Sequence, residues 1–326
     1  MSARPPVGGR KFVREYGGDC WTSPNPHLRF GARGLRPWAE RPFIFYGWRA
    51  GPAGPSYPFR GNTHMLKTLS LFWDGFTKWR IWCSLAWIDL SGRYRRTTLG
   101  PWWVMLGTGL VLGGMGAAWG TIFNMKLREF FPYMVAGYVP WMIWAEFLTV
   151  GCGTFKKPPA STIIKNIPMN HFVHAYRLTM GTMISFAHNI VVFIAVALIA
   201  QSTELSFWII LVFPGLMMTF FIGVSLTTIF GMIGARFADF ELAVSSLIVF
   251  FFLATPIMWH ADGEGGRGMI ALLNPMTHLI EIVRAPLLGQ PPALISWYIS
   301  LGIASVTFVA ALWLFKKRGH RIVFWL

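Results

Sequence analysis

The chain has 326 residues, of which 54% are hydrophobic and 13% are charged, and its formal net charge is +16 at pH 7. Soluble domains average about 45–50% apolar and about 25% charged residues, so this composition excludes an ordinary soluble protein and favours an integral membrane protein. The positive charge of a membrane protein belongs in its cytoplasmic loops, so the charge does not indicate a nucleic-acid partner.

The sequence also lacks the usual signs of catalytic chemistry. The three cysteines, Cys20, Cys83 and Cys152, show neither a CxxC pair nor the spacing of metal ligands, so we expect no disulfide framework and no metal site. Walker A, GxSxG and HExxH motifs are missing from these 326 residues. We therefore expect no catalytic residues on this chain, and no ATP binding of the P-loop kind.

Residues 1–64 are rich in proline, glycine and arginine, with ten Lys/Arg against three Asp/Glu. Their apolar runs are too short to cross a bilayer, their prolines oppose helix formation, and they lack the apolar core and cleavage site of a signal peptide. Two interpretations stay open. The segment is a disordered basic cytoplasmic tail, or it comes from an overextended reading frame whose natural start is Met65.

Residues 65–98 are predicted to form an amphipathic helix in the plane of the membrane interface. Apolar residues recur there at three- and four-residue steps, which is the helical period. Four nearby charges (Lys67, Asp74, Lys78 and Arg80) are too many for a spanning helix, so an interfacial position is expected. The apolar stripe consists of Leu66, Leu69, Phe72, Phe76, Trp79, Trp82, Leu85 and Ile88.

Six apolar segments follow, each approaching or exceeding the roughly 20 residues that a bilayer requires. The third is interrupted by His174, Arg177 and His188, and the fifth is the shortest. The sequence therefore predicts an all-α integral membrane domain with six transmembrane helices over residues 99–326. The predicted spans are 101–123, 131–155, a helix within 172–200, 208–234, 242–259 and 294–315.

The distribution of basic residues predicts the orientation. A cytoplasmic N-terminus places a large excess of Lys and Arg on the inside, as the positive-inside rule requires. Both termini are then cytoplasmic. The inside residues are Arg93, Arg95, Arg96, Lys156, Lys157, Lys165, Arg236, Lys316, Lys317, Arg318 and Arg321. The outside loops hold Lys126, Arg128, Arg267 and Arg284, balanced by Glu129, Glu204, Asp262, Glu264 and Glu281.

A compact basic string lies where the interface helix meets the first span. Headgroup anchoring accounts for its arginines, but not for the Gly-Pro pair that follows. Gly100 and Pro101 predict an elbow, at which one helix ends and a spanning helix begins with proline in its first turn. The elbow residues are Arg93, Tyr94, Arg95, Arg96, Gly100 and Pro101.

This string, D-L-x-x-R-Y-R-R-T-x-L-G-P-x-W at 89–103, followed by six spans, resembles the permease subunits of ABC type-2 exporters for O-antigen and capsular polysaccharide. VPWMIW (139–144), FFLATPIMWHA (251–261) and LLNPMTHLIEIVRAPLLG (272–289) resemble further segments of that family. The resemblance covers about residues 66–317.

The resemblance implies a permease of the bacterial inner membrane that works as a homodimer. It implies two copies of a separate P-loop ATPase as partners and a lipid-linked polysaccharide as substrate, in contact with membrane lipids. ATP and Mg would be bound by the partner ATPase, so no cofactor is expected on this chain.

The segment 155–177 is the predicted coupling loop to the ATPase. It mixes apolar residues with lysines, so a short amphipathic helix there could seat in a groove of the partner; a plain basic loop is the alternative. The shorter segment 236–241 is a secondary contact or a simple charged turn. The predicted coupling residues are Lys156, Lys157, Ile163, Ile164, Lys165, Ile167, Met169, Arg236 and Asp239.

Aromatic residues and one acid in the first two spans are candidates for contact with sugars. Several of these rings lie deeper than an interface belt, and Glu146 near mid-span either binds passing hydroxyl groups or is a structural acid. The candidates are Trp119, Tyr138, Trp141, Trp144 and Glu146. Glycines at four-residue spacing (109, 113, 116 and 120) allow close helix approach at a dimer interface or a pore.

Residues 274–289 predict re-entrant extracytoplasmic helices between the fifth and sixth spans, with a pair of surface amphipathic helices as the alternative. The resemblance implies an extracytoplasmic gate at Asn274, Pro275, Glu281, Arg284 and Pro286. Two other functions stay open: an ABC type-2 exporter of a drug or small lipid, and an ATP-independent flippase or glycosyltransferase.

Overall fold

The computed structural model describes residues 65–100, 102–122, 126–201, 206–259 and 266–326. The predicted extension at 1–64 and Pro101 of the predicted elbow lie outside the described residues. The regular structure of the described ranges is helical. The helices are α1 (Met65–Thr77), α2 (Trp79–Arg93), α3 (Trp102–Ile122), α4 (Leu127–Thr149), α5 (Ala160–Asn166), α6 (Phe172–Ala200), α7 (Val212–Arg236), α8 (Phe240–Ala254), α9 (Gly266–Leu273), α10 (Pro275–Leu287), α11 (Leu294–Arg318) and α12 (Ile322–Trp325).

Five helical stretches of the described chain have the length and apolar composition needed to cross a bilayer. They contain α3, α4, α6, α7 and α11. The predicted fifth span corresponds to α8, which has only 15 residues against the roughly 20 that a bilayer requires. Five of the six predicted segments are therefore long apolar helices, while the count of six spans stays a prediction.

The chain leaves the helical conformation at Thr255, four residues before the predicted end of the fifth span. Pro256 has no N–H to donate, and a residue before proline disfavours the helical region. The Thr255 hydroxyl donates to the Phe251 carbonyl at 2.6 Å and accepts from the Asn274 amide at 2.9 Å. These bonds fix the end of α8 against the start of α10.

The predicted interface helix is two helices, because the chain breaks at Lys78, where φ is −81° and ψ is 35°. The Trp82 indole N–H donates to the Phe76 carbonyl at 3.3 Å across this break. Past the break, the predicted apolar stripe is only partly buried. Trp79 and Ile88 are 55% and 53% exposed, whereas Trp82 is buried.

The main core surrounds α4, which packs against α3, α6, α7, α8 and α10. Phe130, Met134, Val139 and Phe147 of α4 are almost fully buried. Such buried apolar side chains are closely packed against the neighbouring helices, so a substitution that changes their volume changes the stability. The helix that carries most of the sugar-contact candidates is therefore held on several sides.

A second, aromatic core joins α1 and α2 to α6 and α11. Phe72 lies 5.4 Å from Phe172 and 5.5 Å from Tyr176, measured between ring centroids. Trp82 stacks on Tyr176 at 5.7 Å, and Phe172 packs on Phe315 at 4.2 Å. Such ring pairs contribute beyond the area that they bury, so the first two helices are firmly attached to the bundle.

Candidate functional site

Two segments predicted to face the ATPase meet in the structure although they are far apart in the sequence. The Lys157 ammonium lies 2.5 Å from the Glu241 carboxylate, which joins the coupling loop to the start of α8. Both side chains are partly exposed, so the pair is worth at most about 1 kcal/mol. Its importance is positional, because it places the predicted main and secondary contacts side by side.

The predicted short helix in the coupling loop is α5. Ile164 is 1% exposed and packs in the aromatic core, while Ile163 and Met169 are partly buried. Ile167 is 48% exposed. The exposed surface thus combines an apolar side chain with lysines, as a helix that docks on a partner requires. Lys156, Lys157 and Lys165 are exposed, as are Arg236 and Asp239 of the secondary segment.

The last residues of the chain lie against both segments. The Lys165 ammonium donates to the main-chain oxygen of Leu326 at 2.7 Å. The Arg236 guanidinium lies 5.8 Å from the centre of the Trp325 ring, a cation–π distance. α12 and the residue that follows it therefore lie against residues of both predicted contact segments.

Asn170 connects the coupling loop to α1, a role that the sequence did not indicate. Its amide nitrogen donates to the Leu71 carbonyl at 2.6 Å and to the Asp74 carboxylate at 2.9 Å. Burial opposes ionisation of Asp74, but the hydrogen bonds from Lys78 and Asn170 and the Lys78 charge prevail, so the pKa of this carboxyl is lowered. The charged form of Asp74 is thus favoured at this junction.

The predicted elbow is present between α2 and α3. α2 ends at Arg93, and Gly100 has a φ of +57°, a conformation that residues with a side chain rarely adopt. Arg93, Arg95 and Arg96 are exposed and Tyr94 is partly buried. Pro101 is outside the described residues, so Gly100 is the residue of the predicted Gly-Pro pair that the structure describes.

A cavity of about 400 Å³ brings the elbow together with several sugar-contact candidates. The elbow contributes Arg93 and Tyr94, and α4 contributes Tyr138, Trp141 and Glu146. α6 supplies further polar side chains, namely Thr182, Ser185 and Asn189. Hydroxyl, amide and carboxylate groups beside aromatic rings match the two kinds of surface that a sugar presents, its hydroxyl groups and its apolar faces.

Glu146 lies close to the end of α4. The sequence predicts a position near the middle of the span, and the structure differs from that prediction. Its carboxylate oxygen is 3.9 Å from the Arg93 guanidinium. This separation allows an electrostatic attraction but exceeds a hydrogen-bond distance. The acid therefore lies beside the elbow with capacity to accept hydrogen bonds.

The aromatic candidates have different surroundings. Tyr138 and Trp141 line the cavity and contact Phe252 of α8, with ring centroids 5.9 and 5.6 Å apart. Trp144 is fully buried and packs edge-on against Phe147 at 5.8 Å. Trp119 is partly buried beside the main core. Of the four aromatic candidates, Tyr138 and Trp141 are the two placed at this cavity.

The interruption in the third predicted span has a partner in α2. Arg177 forms a two-pronged pair with Asp89, with Nη2 at 2.6 Å from Oδ1 and Nε bonded to Oδ2. A paired arginine inside an apolar helix is far less costly than a free one. No pattern in the sequence points to Asp89 as this partner, although a charge within an apolar span is a signal that a partner is needed.

The predicted gate residues lie around α10, which is mostly buried and is not a surface helix. Asn274 caps α10 by accepting from the Met276 amide at 2.9 Å, with Pro275 in the first turn. Pro286 is buried near the end of α10, and Glu281 is partly buried.

Arg284 connects α10 to α4 and to the end of α8. Its guanidinium donates to Glu281 at 2.5 Å, to the Tyr133 hydroxyl at 3.0 Å and to the Pro256 carbonyl at 2.5 Å. It also lies 4.7 Å from the centre of the Tyr133 ring. This buried network holds three predicted outer segments together.

Comparison with known proteins supports the family resemblance at a coarse level. The chain is 24% identical over 212 residues to the O-antigen export system permease protein RfbA of Myxococcus xanthus, covering 62% of this chain and 78% of that protein. No protein-family profile matches the chain. The similarity to a transport permease and the apolar helices support a multi-pass membrane protein.

Proposed function

We propose that this chain is the membrane permease of an exporter that moves a lipid-linked polysaccharide of the O-antigen or capsule type outward across the bacterial inner membrane. It works as a homodimer with two ATPase subunits, which bind ATP and Mg, and both of its termini are cytoplasmic. The observation that carries the proposal is the cavity at the elbow, where Arg93, Tyr138, Trp141 and Glu146 meet, together with the distant likeness to an O-antigen export permease.

The ATPase would act on the surface formed by α5, the start of α8 and α12. Closure of the ATPases pushes this surface, and two contacts pass the movement to the interface helices. Asn170 bonds to Asp74 of α1, and Arg177 of α6 pairs with Asp89 of α2. Tilting of α3 and α8 then widens the path for the substrate.

The homodimer would use the open faces of α3 and α8. Gly116 and Gly120 already pack on Phe131 and Leu127 of the same chain, whereas Gly109 and Gly113 have nothing within 4 Å of the position that a Cβ would occupy. α8 buries only Val244 among its 15 residues. Close approach of a second copy at such small residues is a common mode of helix association in membranes.

The experiment is to tag the chain in its native host and to measure two outcomes. The tagged chain should co-purify with a P-loop ATPase, and loss of the chain should leave polysaccharide on the inner face of the membrane. Ile167→Asp, which places a charge on the exposed part of the coupling loop, should lose the ATPase. Lys317→Gln, an exposed change on α11, is the matched control and should retain it.

Retention of the ATPase by Ile167→Asp would refute the assigned contact surface. Normal surface polysaccharide in cells that lack the chain would refute the substrate. A stable chain that binds no ATPase would refute the exporter assignment itself.

A further inference from the structure

An apolar trough runs along α3 and α6. It consists of two open grooves, of about 470 and 620 Å³, which share Gly113. Apart from Arg128 and Gln201 at one end, the residues that line the trough are apolar side chains and glycines. The α3 wall includes Met105, Gly109, Gly113 and Ala117, and the α6 wall includes Ala195 and Val196.

The trough continues the cavity of about 400 Å³ at the elbow along the same two helices. Val104 of α3 and Asn189 of α6 line that cavity, and the next residues along each helix, from Met105 and from Val191, line the trough. Residue numbers on both helices rise together from the elbow cavity to the far end of the trough. The two cavities therefore form one path that is polar at the elbow and apolar beyond it.

This division into a polar and an apolar part indicates the class of ligand. A small-molecule site is typically apolar with a few placed polar groups, and here the polar groups are all at one end. Among them, Asn189 is 2% exposed, and its amide oxygen has no hydrogen-bond partner among the described residues. A hydroxyl group of a ligand satisfies this oxygen, as water does in an empty site. A molecule with a polar head and a hydrocarbon chain matches the whole path.

The length of the trough restricts the chain further. A helix rises about 1.5 Å per residue, so Val104 to Ala117 of α3 spans about 20 Å and Asn189 to Ala200 of α6 about 17 Å. Half of the hydrocarbon core is about 15 Å thick, and an acyl chain of an ordinary phospholipid occupies only that half. The trough is therefore longer than such a chain, and it fits one chain that reaches into both leaflets.

We propose that the trough binds the hydrocarbon chain of the transported lipid, a single chain longer than one leaflet, while the elbow cavity holds its polar head. This inference rests on the proposed export of a lipid-linked substrate and adds the place of its lipid part. Gly109 and Gly113 then face the chain, so the contact of the proposed dimer falls to α8. A second copy packed on these two glycines is the competing occupant.

The test compares two ligands that share a head but differ in chain length: a long-chain polyprenyl phosphate and farnesyl phosphate, whose chain fits within one leaflet. Native mass spectrometry of the purified full-length chain in detergent measures both affinities. The wild-type chain should bind the long ligand at least about tenfold more tightly, because each buried methylene adds to the affinity. A long chain also partitions better into detergent, so the ratio of the two affinities is compared between variants.

Gly109→Leu/Gly113→Leu fills the trough from α3 and should lower this ratio about tenfold. Ala195→Leu, which acts from the α6 wall, should lower the ratio in the same direction. Gly302→Leu on α11 is the matched control. A Cβ at Gly302, as at Gly109 and Gly113, would meet nothing within 4 Å, but Gly302 does not line the trough, so the ratio should stay at the wild-type value.

Three outcomes would overturn the proposal. The ratio is the same in the wild-type chain and in the double glycine variant. An equal concentration of dioleoyl phosphatidylglycerol displaces the long ligand, which would mean that an ordinary leaflet lipid fills the trough. The double glycine variant is monomeric where the wild-type chain is dimeric, which would assign the trough to a second copy.

These measurements require neither the ATPase nor export, so they fail independently of the proposed function. A chain that binds the long ligand in the trough, in cells whose surface polysaccharide does not depend on it, keeps this site and refutes only the polysaccharide.

Discussion

Gly234 of α7 lies against the main chain of the turn from which the predicted coupling loop begins. A Cβ built at this position would lie 2.2 Å from the carbonyl oxygen of Cys152 and 2.9 Å from its carbonyl carbon. Real Cβ atoms essentially never approach closer than 3.0 Å, so Gly234→Ala requires a shift of at least about 0.8 Å. Because the obstacle is backbone, a side-chain rotation cannot relieve it.

Overpacking of this kind costs about 1–3 kcal/mol, while replacing a helical glycine by alanine returns up to about 1 kcal/mol. We therefore expect Gly234→Ala to lower the free energy of unfolding by about 1–2 kcal/mol. Gly181→Ala in α6 is the matched control, because no atom lies within 4 Å of its Cβ position; it should be neutral or stabilising.

Thermal unfolding of the purified variants in one detergent gives the comparison. ATPase activity of the assembled complex, measured alongside, should fall for Gly234→Ala, because the displaced turn leads directly into Thr154, Phe155 and Lys157. If both alanine variants unfold at the same temperature, the close approach of α7 to this turn is refuted.

Three further predictions concern charged and titratable groups. Lys157→Glu should uncouple ATP hydrolysis from transport while changing the free energy of unfolding by less than about 1 kcal/mol. The charge-swapped variant Lys157→Glu/Glu241→Lys should restore coupling. Failure of this double variant in a transport assay would mean that the pair has no positional role. Arg284→Met should lower the free energy of unfolding by about 3 kcal/mol, because it leaves Glu281 and the Pro256 carbonyl without their buried partner. Arg267→Met, on the exposed start of α9, is the control. Equal losses of unfolding free energy in the two variants, measured by denaturation, would contradict the network. Burial lowers the pKa of His171 to about 4, against an opposing hydrogen bond with the Met169 carbonyl. Below pH 6.5, the ordinary pKa of histidine, His171 of the unfolded state therefore takes up a proton while His171 of the folded state does not. The contribution of neutral His171 to stability is thus complete above pH 6.5, and the free energy of unfolding falls by up to about 1.4 kcal/mol per pH unit towards pH 4. His171→Gln should flatten the dependence of unfolding temperature on pH, and an unchanged slope would show that the group titrates normally.

Local patterns in the sequence predicted those helices whose signal lies within a single segment of the chain. Long apolar runs predicted α3, α4, α6, α7 and α11, because apolar length is a property of the segment itself. The Gly-Pro pair predicted the elbow, and the lysine-rich loop predicted a short helix that became α5. Two local predictions differ from the structure: the interface helix breaks at Lys78, and α8 ends before Pro256.

The candidate site was predicted less completely, because its contacts join residues far apart in the chain. The sequence identified Glu146 and the elbow arginines separately, but nothing in their spacing showed that they share a cavity. Likewise, the charge of Arg177 was visible as an interruption of an apolar span, whereas its partner Asp89 was not.

The sequence by itself determined the class of this protein, its apolar helices and its predicted orientation, since composition, hydropathy and charge asymmetry are read along the chain. Only the tertiary structure decided which polar groups meet. The pairing of Lys157 with Glu241 and of Arg177 with Asp89, and the enclosure of His174, depend on how α2, α4, α6 and α8 pack. Packing distances between distant segments are set by side-chain shape, and glycine positions such as Gly234 allow close approach that no local pattern encodes.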